Sequence, residues 1–392
     1  MRQVFWLGLL GAGCALNAAA PPPSALAPAT EVSAVAATPS SPPTEEVAIE
    51  APFSEDDDVG EEDEAVAEEA ESREPDAAAD GALRYTTDLA DADLAEKWAN
   101  APEALGSISI GFADEGRLVN AERFPRSEEW ILVSPDRAFA TRETVEYVTA
   151  AIREVRAQFP HAPRLRVNQM SLPEGGYVRP HKSHQSGRDV DLGFYYPTEE
   201  PVKVREREKV IDVALNWALL RALIVHGDVQ FILLDRRVQK VLYAHALAIG
   251  EDPVWLDSLF RAGKRSLVQH ARRHRDHFHV RYFNPRAQEL GRRVAPLLAQ
   301  RPEQNIAMHK VRRGDTLGAI ARRYNSTVRA IQKANKLRNT FLRVSRVLKV
   351  PMRGPCTRCP IPPPVVVPPR RLPPSEPVAA ADVMPLPGGA SR

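Results

Sequence analysis

The chain has 392 residues, with 52 Lys and Arg against 51 Asp and Glu, and it contains three cysteines. So few cysteines exclude a disulfide-stapled scaffold, and a chain of this length can be held together by a buried apolar core. The near-neutral charge hides a split, because residues 45–80 hold seventeen acids and one base, which leaves 51 bases against 34 acids elsewhere. A basic body favours an anionic polymer as partner, such as a nucleic acid, a membrane surface or a cell wall.

Residues 1–20 are predicted to be a signal peptide. A basic start is followed by a short apolar run at residues 4–10, which is typical of a secretory signal and too short to span a membrane. The stretch that ends at Cys14 is similar to a bacterial lipoprotein box, so Cys14 is a candidate for lipidation. The alternative is ordinary cleavage after Ala20. Both alternatives predict export, with the protein either free in the periplasm or anchored in the outer membrane by a lipid.

Two segments have the composition of disordered chain. Residues 21–83 consist mostly of Ala, Pro, Ser, Asp and Glu, and residues 353–392 are rich in proline. Neither segment has enough large apolar side chains to offset the entropy cost of ordering, so we predict a disordered linker and a disordered tail. In the tail, Cys356 and Cys359 form only half of a zinc-finger pattern, so a small disulfide or an intermolecular link is expected rather than a metal site.

Residues 84–300 have the pattern of a folded domain. The predicted elements are a strand at 107–110, a helix capped by Thr141 and running to Gln158, a helix at 206–225 ended by Gly227, a strand at 229–234, and a helix at 236–249 ended by Gly250. The first helix has one apolar stripe, and the second is apolar almost all round, as a core helix is. Helices and strands alternate without a long series of hairpins. We therefore expect an α+β domain with helices flanking a small central antiparallel sheet.

Six of the ten histidines fall in two short windows. The windows hold His181, His184, Asp189 and Asp191 in the first, and His270, His274, His277 and His279 in the second. Residues two apart on a strand point to the same face, so His277 and His279 should face one site. Asp189 and Asp191 should likewise share a face. Two imidazoles and one carboxylate from distant segments are the donor set of a catalytic zinc site, which keeps a fourth position open.

The alternative is that these histidines decorate a basic surface that binds nucleic acid. Asp189 and Asp191 argue against it, because a phosphate-binding surface needs Lys and Arg rather than carboxylates. No nucleic-acid partner is therefore expected. Outside the windows, His161, His226 and His245 are expected to be ordinary surface or core histidines.

The two windows resemble those of the penicillin-insensitive murein endopeptidases, which belong to a wider group of zinc peptidases that includes lysostaphin, D-Ala-D-Ala carboxypeptidases and the hedgehog signalling domain. The motifs are His-x-x-His-Gln-x-Gly-x-Asp-Val-Asp and His-x-x-His-x-His-Val-Arg, and the similarity covers roughly residues 105–285. The resemblance implies one catalytic Zn²⁺ held by His184, Asp191 and His279, a general base at His277, and further site histidines at His181 and His274.

A second metal ion is bound by some members of that family, with the residue matching His181 as one ligand. His181 is therefore also a candidate metal ligand. No mid-chain Asp and His pair in this sequence matches the other ligands of the second ion, so one zinc ion is expected. The enterobacterial members also have disulfides in this domain, which has no cysteine here.

The implied reaction is hydrolysis of peptide cross-links in peptidoglycan, at the D-alanyl to meso-diaminopimelyl bond. In such a site zinc supplies Lewis acidity, and His277 takes or steers the proton. The zinc ligands do not set the cleaved bond, so a D,D- or L,D-carboxypeptidase or dipeptidase on the same scaffold is the first alternative. A non-catalytic wall-binding lipoprotein is the second, and the intact His277 argues against it.

Residues 306–352 resemble a LysM domain, whose fold is strand, helix, helix, strand. The resemblance is densest over residues 309–321. Either Asp315 or Thr316 can cap the first helix. Members of the family usually have glycine at the position of Ser345.

The LysM resemblance implies binding of N-acetylglucosamine in the glycan strands. The candidate glycan-binding residues are Gly314, Asp315, Thr316 and Asn335. Peptidoglycan would then be the partner at both domains, through its stem peptides at the zinc site and through its glycan at the LysM domain. The alternative is a bare folding unit or a module that contacts proteins.

Overall fold

The computed structural model describes residues 83–85, 89–178, 181, 183–200, 202–272, 274–357 and 359–374. The strands are β1 (Leu83–Arg84), β2 (Ile108–Gly111), β3 (Gly116–Val119), β4 (Glu122–Arg123), β5 (Trp130–Leu132), β6 (Phe139–Ala140), β7 (Leu165–Gln169), β8 (Asp189–Gly193), β9 (Val229–Leu234), β10 (Val268–His270), β11 (His277–Tyr282), β12 (Ile306–Lys310), β13 (Val347–Pro351) and β14 (Val366–Val367). The α-helices are α1 (Asp91–Asn100), α2 (Arg142–Gln158), α3 (Val213–His226), α4 (Arg236–Ala248), α5 (Pro253–Phe260), α6 (Pro285–Val294), α7 (Leu317–Arg323) and α8 (Val328–Ala334).

The larger domain is built on a six-stranded sheet with the strand order β10-β9-β11-β8-β7-β5. The four inner strands pair antiparallel, whereas β10 and β5 join the two edges in parallel. Helices lie between β9 and β10 and between β5 and β7 in the chain, and parallel neighbours require such crossovers. The predicted α+β class is confirmed, and the expected antiparallel sheet is the inner part of a mixed one.

One face of this sheet carries the main apolar core. Val190 and Leu192 on β8 and Phe278 and Val280 on β11 are fully buried in a cluster that also includes side chains of α2, α3, α4 and α5. Side chains alternate along a strand, so the residues between these four point to the opposite face. The predicted alternation is confirmed, and it leaves the polar residues of both strands on one shared surface.

Side-chain caps determine where the central helices begin. Thr141 accepts a hydrogen bond from the Thr144 N–H at the start of α2, as predicted. The helix predicted from residue 206 begins later, at Val213, because Asp212 caps it by accepting from the Leu215 N–H. The apolar residues that precede Asp212 suggested a longer helix, but they do not set the cap.

The remaining sequence predictions in this domain agree with the structure to within one or two residues: β2, β9 and α4, the last capped by Asp235. Helices α1, α5 and α6 were not predicted. Helices α1 and α6 pack with β2 in a second apolar cluster around Trp98 and Leu290, separate from the main core. Their apolar residues are few because the cluster is small, so the sequence pattern is weak there.

Residues from β12 to β13 form the predicted strand-helix-helix-strand unit, with β12 and β13 paired antiparallel. Thr316 rather than Asp315 caps the first helix, accepting from the Ala319 N–H. Ser345 has a φ of 66°, a left-handed conformation in which glycine costs least. This explains why glycine is usual at that position of the family.

The LysM unit packs against the larger domain at the turn between β2 and β3. Lys310 donates its backbone N–H to Glu115 (3.0 Å), and its ammonium group lies 2.9 Å from an Asp114 carboxylate oxygen. Lys349 forms an ion pair of 2.6 Å with Glu174. These contacts hold the two units together beyond the covalent connection.

The structure describes residues 353–357 and 359–374 of the tail that was predicted to be disordered, and some of these residues make ordered contacts. Strand β14 pairs with β1, and Trp255 donates its indole N–H to the Arg371 carbonyl (2.9 Å). Proline fixes φ and so reduces the entropy lost when an extended segment is ordered on a surface. Cys356 and Cys359 form a disulfide with each other, the first of the two expected alternatives.

The signal peptide, the lipidation of Cys14 and the linker up to residue 82 lie outside the described residues, as does the tail from residue 375. Within the part of the chain that the structure describes, no helix is long and apolar enough to cross a bilayer.

Candidate metal centre

The two histidine windows meet on the polar face of the sheet. Strands β8 and β11 are neighbours, with His279 opposite Asp191 and His277 opposite Gly193. Side chains directly opposite on one face lie close together in an antiparallel pair. The loop that precedes β8 brings His181 and His184 to the same place. Strand register therefore joins residues almost ninety positions apart, as the sequence predicted.

Asp191 is at the centre of this cluster. Its Oδ1 lies 2.9 Å from His279 Nδ1, 3.2 Å from His184 Nε2 and 3.7 Å from His277 Nε2. Its Oδ2 lies 3.8 Å from His181 Nδ1. The potential ligand atoms of His181, His184 and Asp191 all lie within 4.8 Å of one another. The other three predicted metal ligands, His181, His184 and His279, thus surround the Asp191 carboxylate together with His277.

His184 is held in a strained backbone conformation. Its φ is 66°, which is uncommon for a residue other than glycine and is found mostly where surrounding contacts impose it. Its N–H donates to Asp189 Oδ2 (3.1 Å), and its carbonyl accepts from the Ser171 hydroxyl (2.5 Å). The loop then turns at Gly187, where a Cβ would lie 2.9 Å from the Thr141 nitrogen. These contacts aim the imidazole of His184 at Asp191.

Asp189 acts on the site through its neighbours. It lies two residues from Asp191 on the same face and receives a hydrogen bond of 2.6 Å from the Nε of Arg281 on β11. Its other close contact on that side is His279 Nε2, at 3.4 Å. Both Asp189 and Arg281 are fully buried, and burial opposes ionisation of Asp189, but Arg281 holds its pKa far below its usual range. Arg281 ends the second sequence motif but was given no role there, although the alternation along β11 places it on this face.

Two of the histidines are neutral at pH 7. Burial, with a contribution from His184, lowers the pKa of His181 to about 4. Burial, with a contribution from His279, lowers the pKa of His274 to about 2. A neutral imidazole can offer a lone pair to a metal ion, whereas the charged form cannot.

The central carboxylate, Asp191, is ionised, and it favours the protonated form of neighbouring histidines. Burial disfavours the anion of Asp191, but His184 and His277 hold its pKa well below the usual range. Burial also opposes the charged form of His279, yet Asp189 and Asp191 raise its pKa to about 9. The two carboxylates therefore favour a positive charge at this position, and a metal ion that binds His279 would take the place of its proton.

His277 has a partner that the other site histidines lack. Its Nδ1 lies 2.7 Å from the carboxylate of Asp276, while its Nε2 faces Asp191 across 3.7 Å. Burial opposes the charged form, but Asp191 and Asp276 raise the pKa of His277 above its ordinary value. A carboxylate that orients an imidazole whose other nitrogen faces a reaction site is the usual arrangement of a general base. Asp276 was not predicted; its position beside His277 in sequence was the available signal.

The donor set fits a zinc ion. His184 is fully buried, yet neither of its ring nitrogens makes a well-aligned hydrogen bond to any described residue. Burying such nitrogens without partners is unfavourable unless they serve another purpose, and metal ligation is one. Imidazole nitrogen and carboxylate oxygen are the ligands that catalytic zinc takes. Asp189 and Arg281 lie just behind them, where residues that orient metal ligands are found.

The remaining histidines lie elsewhere. His270, in the second window, accepts a hydrogen bond at Nδ1 from the Arg236 N–H (3.0 Å), away from Asp191. His226 forms an ion pair with Glu154. His309 in the LysM unit lies between Tyr324 and Asp315.

The four predicted glycan-binding residues have structural contacts within the LysM unit. Asp315 accepts from His309 and from the Arg312 N–H, and Thr316 caps a helix. The Asn335 amide bonds to the backbone of Ile331 and Lys349. Gly314 has a φ of 89°, as a tight turn requires. These contacts stabilise the loops of the LysM unit. Direct binding of a sugar by the four residues stays a prediction.

Two family models match this chain. Residues 109–301 match the model described as penicillin-insensitive murein endopeptidase, and residues 309–351 match the LysM domain. Among curated proteins, the chain is similar to the penicillin-insensitive murein endopeptidase of Pectobacterium atrosepticum. The two are 26% identical over 212 residues, which is 49% of this chain and 69% of that protein. Both histidine windows lie inside the matched range.

Proposed function

We propose that this protein is an exported, zinc-dependent peptidoglycan hydrolase. The proposal is supported by its match to the penicillin-insensitive murein endopeptidase family and to the LysM domain that follows. Its substrate is the peptide cross-link, cleaved at the D-alanyl to meso-diaminopimelyl bond, and its LysM domain holds it on the glycan of the wall. The observation that carries the proposal is the convergence of His184, Asp191 and His279 on one sheet face, with His277 beside them.

The proposed roles follow from position. His184, Asp191 and His279 hold one zinc ion, and His181 is a further candidate ligand. Zinc bound there supplies Lewis acidity for amide hydrolysis. His277, oriented by Asp276, accepts a proton at Nε2 and returns it to the leaving nitrogen. The ring of His274 lies 4.9 Å from that of His277. His274 is neutral and can form a hydrogen bond with the substrate.

Export is proposed from the sequence of residues 1–20 and from the substrate, since peptidoglycan lies outside the cytoplasmic membrane. A lipid on Cys14 would keep the enzyme at the outer membrane, while the LysM domain would hold it on the glycan. Attachment through both the lipid and the LysM domain would keep the catalytic site near the wall. This raises its local concentration without new contacts to the substrate.

The decisive experiment is mass spectrometry of purified peptidoglycan after digestion with the mature protein loaded with zinc. Conversion of dimeric muropeptides to monomers is expected. Loss of only a terminal D-alanine would instead identify a carboxypeptidase. Binding to the wall with zinc present and no change in the muropeptides would identify a non-catalytic binding protein. A His277→Ala protein digested in parallel is the control for contaminating hydrolases.

A further inference from the structure

A cavity of about 160 Å³ lies beside the histidine cluster, on the same face of the sheet. Its floor includes Gly193 on β8, which is paired with His277 on β11. On the other side of Gly193, strand β7 contributes Arg166 and Asn168. Asp276, the partner of His277, is part of the wall. The cavity therefore extends from the histidine cluster on β8 and β11 to the neighbouring strand, β7.

Gly193 is what leaves room for a ligand on this floor. A Cβ at this position would lie 3.2 Å from Arg166 Cβ and 3.7 Å from Asn168 Nδ2. Any larger side chain would fill the space between β7 and β11. Because neighbouring strands lie about 4.8 Å apart, His277 and Arg166 are separated by two strand spacings, or about 10 Å between Cα atoms. An arginine side chain can cover much of that distance.

Most charged side chains that line the cavity are paired or exposed to solvent, and Arg166 is the exception. Arg164 pairs with Glu199 at 2.7 Å, and Asp276 contacts His277. Arg207 donates to the Val202 carbonyl. Glu200 lies exposed at the rim. The side chain of Arg166 is half-buried, yet it makes no hydrogen bond or ion pair with any of the described residues.

A half-buried guanidinium without a partner points to an anion supplied from outside. Removing a charged group from water is unfavourable unless it is paired, and the planar fork of arginine matches a carboxylate in two parallel hydrogen bonds. The cavity is too narrow for a glycan strand but can hold a single carboxylate with its carbon atoms. Such a group would enter between Gly193 and Arg166.

We propose that Arg166 binds the carboxylate carried by the same carbon atom as the leaving nitrogen of the scissile amide. The inference rests on the proposed function, because the leaving residue of a D-alanyl to meso-diaminopimelyl bond has its carboxylate at this position. With the amide carbonyl near Asp191 and the nitrogen near His277, that carboxylate lies toward Gly193. Arg166 then selects substrates whose leaving residue is an α-amino acid with a free carboxylate.

The test uses two synthetic cross-linked stem-peptide dimers that differ only at that group, one with the carboxylate and one with a carboxamide. The zinc-loaded wild-type protein is expected to prefer the carboxylate by about 10- to 100-fold in kcat/KM, the usual range for a hydrogen-bonded charge. Arg166→Met should lose this preference by slowing cleavage of the carboxylate dimer alone. Arg166→Lys should keep part of it, because lysine retains the charge without the fork.

The matched control is Arg126→Ala, which removes one exposed positive charge from the same domain and should leave the preference unchanged. Zinc content and thermal unfolding of each variant show whether Arg166 matters only for folding. Equal slowing of both dimers by Arg166→Met, or no preference in the wild type, would overturn the inference.

Binding of the two dimers to His277→Ala protein, measured by calorimetry with and without Arg166→Met, separates the two proposals. Tighter binding of the carboxylate dimer that depends on Arg166 supports the carboxylate site even if the wild-type protein cleaves neither dimer. In that case only the proposed hydrolase function fails. Binding that ignores the carboxylate while cleavage proceeds would refute the Arg166 site and leave the hydrolase function standing.

Discussion

Among the residues of the site, His277 and the proposed ligand His184 differ in what their ring nitrogens contact. His184 has two buried ring nitrogens without well-aligned hydrogen bonds, whereas His277 has one nitrogen on Asp276 and the other toward Asp191. The first arrangement suits ligation, and the second suits proton transfer. Separate variants can therefore divide metal binding from turnover.

Replacing Asp191 or His184 with Ala should remove the metal together with the activity. Each change deletes a ligand from a set of three, and the carboxylate also supplies the charge that attracts the cation. Elemental analysis of the purified variants measures zinc per chain. His226→Ala, at a histidine that pairs with Glu154 and is not among the histidines in contact with Asp191, is the control and should keep its full zinc content. Full zinc in either ligand variant would refute the assignment.

His277→Ala should keep its zinc and lose a factor on the order of 10²–10⁴ in rate, the usual contribution of a positioned acid or base. Asp276→Asn should lose less, because the amide can still contact His277 but no longer stabilises its charge. Steady-state kinetics on a soluble muropeptide dimer, with zinc measured on the same samples, provides the comparison. Loss of zinc in His277→Ala would make His277 a ligand instead.

Arg281→Met should destabilise the larger domain by about 3–5 kcal/mol, because it leaves the buried Asp189 carboxylate without its cation. Urea unfolding measures the change in the free energy of unfolding. The control, Arg142→Met, breaks an exposed pair with Glu122 and should cost less than about 1 kcal/mol. A similar small loss in both variants would show that Asp189 is stabilised by other contacts.

At the scale of elements, strand pairing brings the chemistry together and turns fix the ends of the strands. Strands β8 and β11 each place their apolar residues in the core and their polar residues at the site. In the LysM unit, the turn before β13 contains Ser345 at a φ of 66°, and the turn after β12 contains Gly314 at 89°. Both turns thus need a residue with a positive φ, but only one of them has glycine there.

Ser345→Gly should therefore stabilise the LysM unit by about 1 kcal/mol, since a residue with a Cβ costs about that much in the left-handed region. Gly314→Ala is the reverse change, at a site with no atom within 4 Å of the added Cβ, and should destabilise it by a similar amount. Hydrogen exchange of the amides in β12 and β13 measures both. A loss of protection in Ser345→Gly would mean that the serine side chain stabilises the turn.

At the scale of the whole molecule, the LysM unit is docked and not merely tethered. Besides the Lys310 and Lys349 contacts, Arg117 of the larger domain is buried and donates to the Gln304 side chain (2.7 Å) in the connecting segment. The turn that receives Lys310 also holds Gln185, next to His184, through the Ala113 carbonyl. A docked unit would hold glycan at a fixed distance from the proposed catalytic site.

Reversing both charges in the variant Lys310→Glu/Lys349→Glu should release the LysM unit, because each glutamate then faces Asp114 or Glu174. Small-angle X-ray scattering should show a larger radius of gyration. Digestion of insoluble peptidoglycan should slow, while cleavage of a soluble dimer should not change. Arg338→Glu/Arg343→Glu makes the same change in net charge at exposed positions and should do neither. An unchanged radius in the first variant would show that apolar contacts hold the units together.

The order of residues alone was enough to predict the α+β class and to identify the residues that meet at the candidate metal centre. Several features were visible locally: the two histidine windows, the alternation along β8 and β11, the Thr141 cap and the LysM pattern. Such features depend on backbone periodicity, which can be recognised from the order of residues. The family resemblance that those motifs carried is confirmed by the match over residues 109–301.

The contacts of those residues could be found only from the folded structure. The contact of Arg281 with Asp189 and the cavity at Arg166 follow from strand register, which pairs residues far apart in the chain. The contact of Asp276 with its neighbour His277 depends on the directions of the two side chains. The docking of Lys310 and the ordering of residues 359–374 depend on complementary surfaces. Such surfaces form only once distant segments are folded together, so no local pattern of residues reveals them.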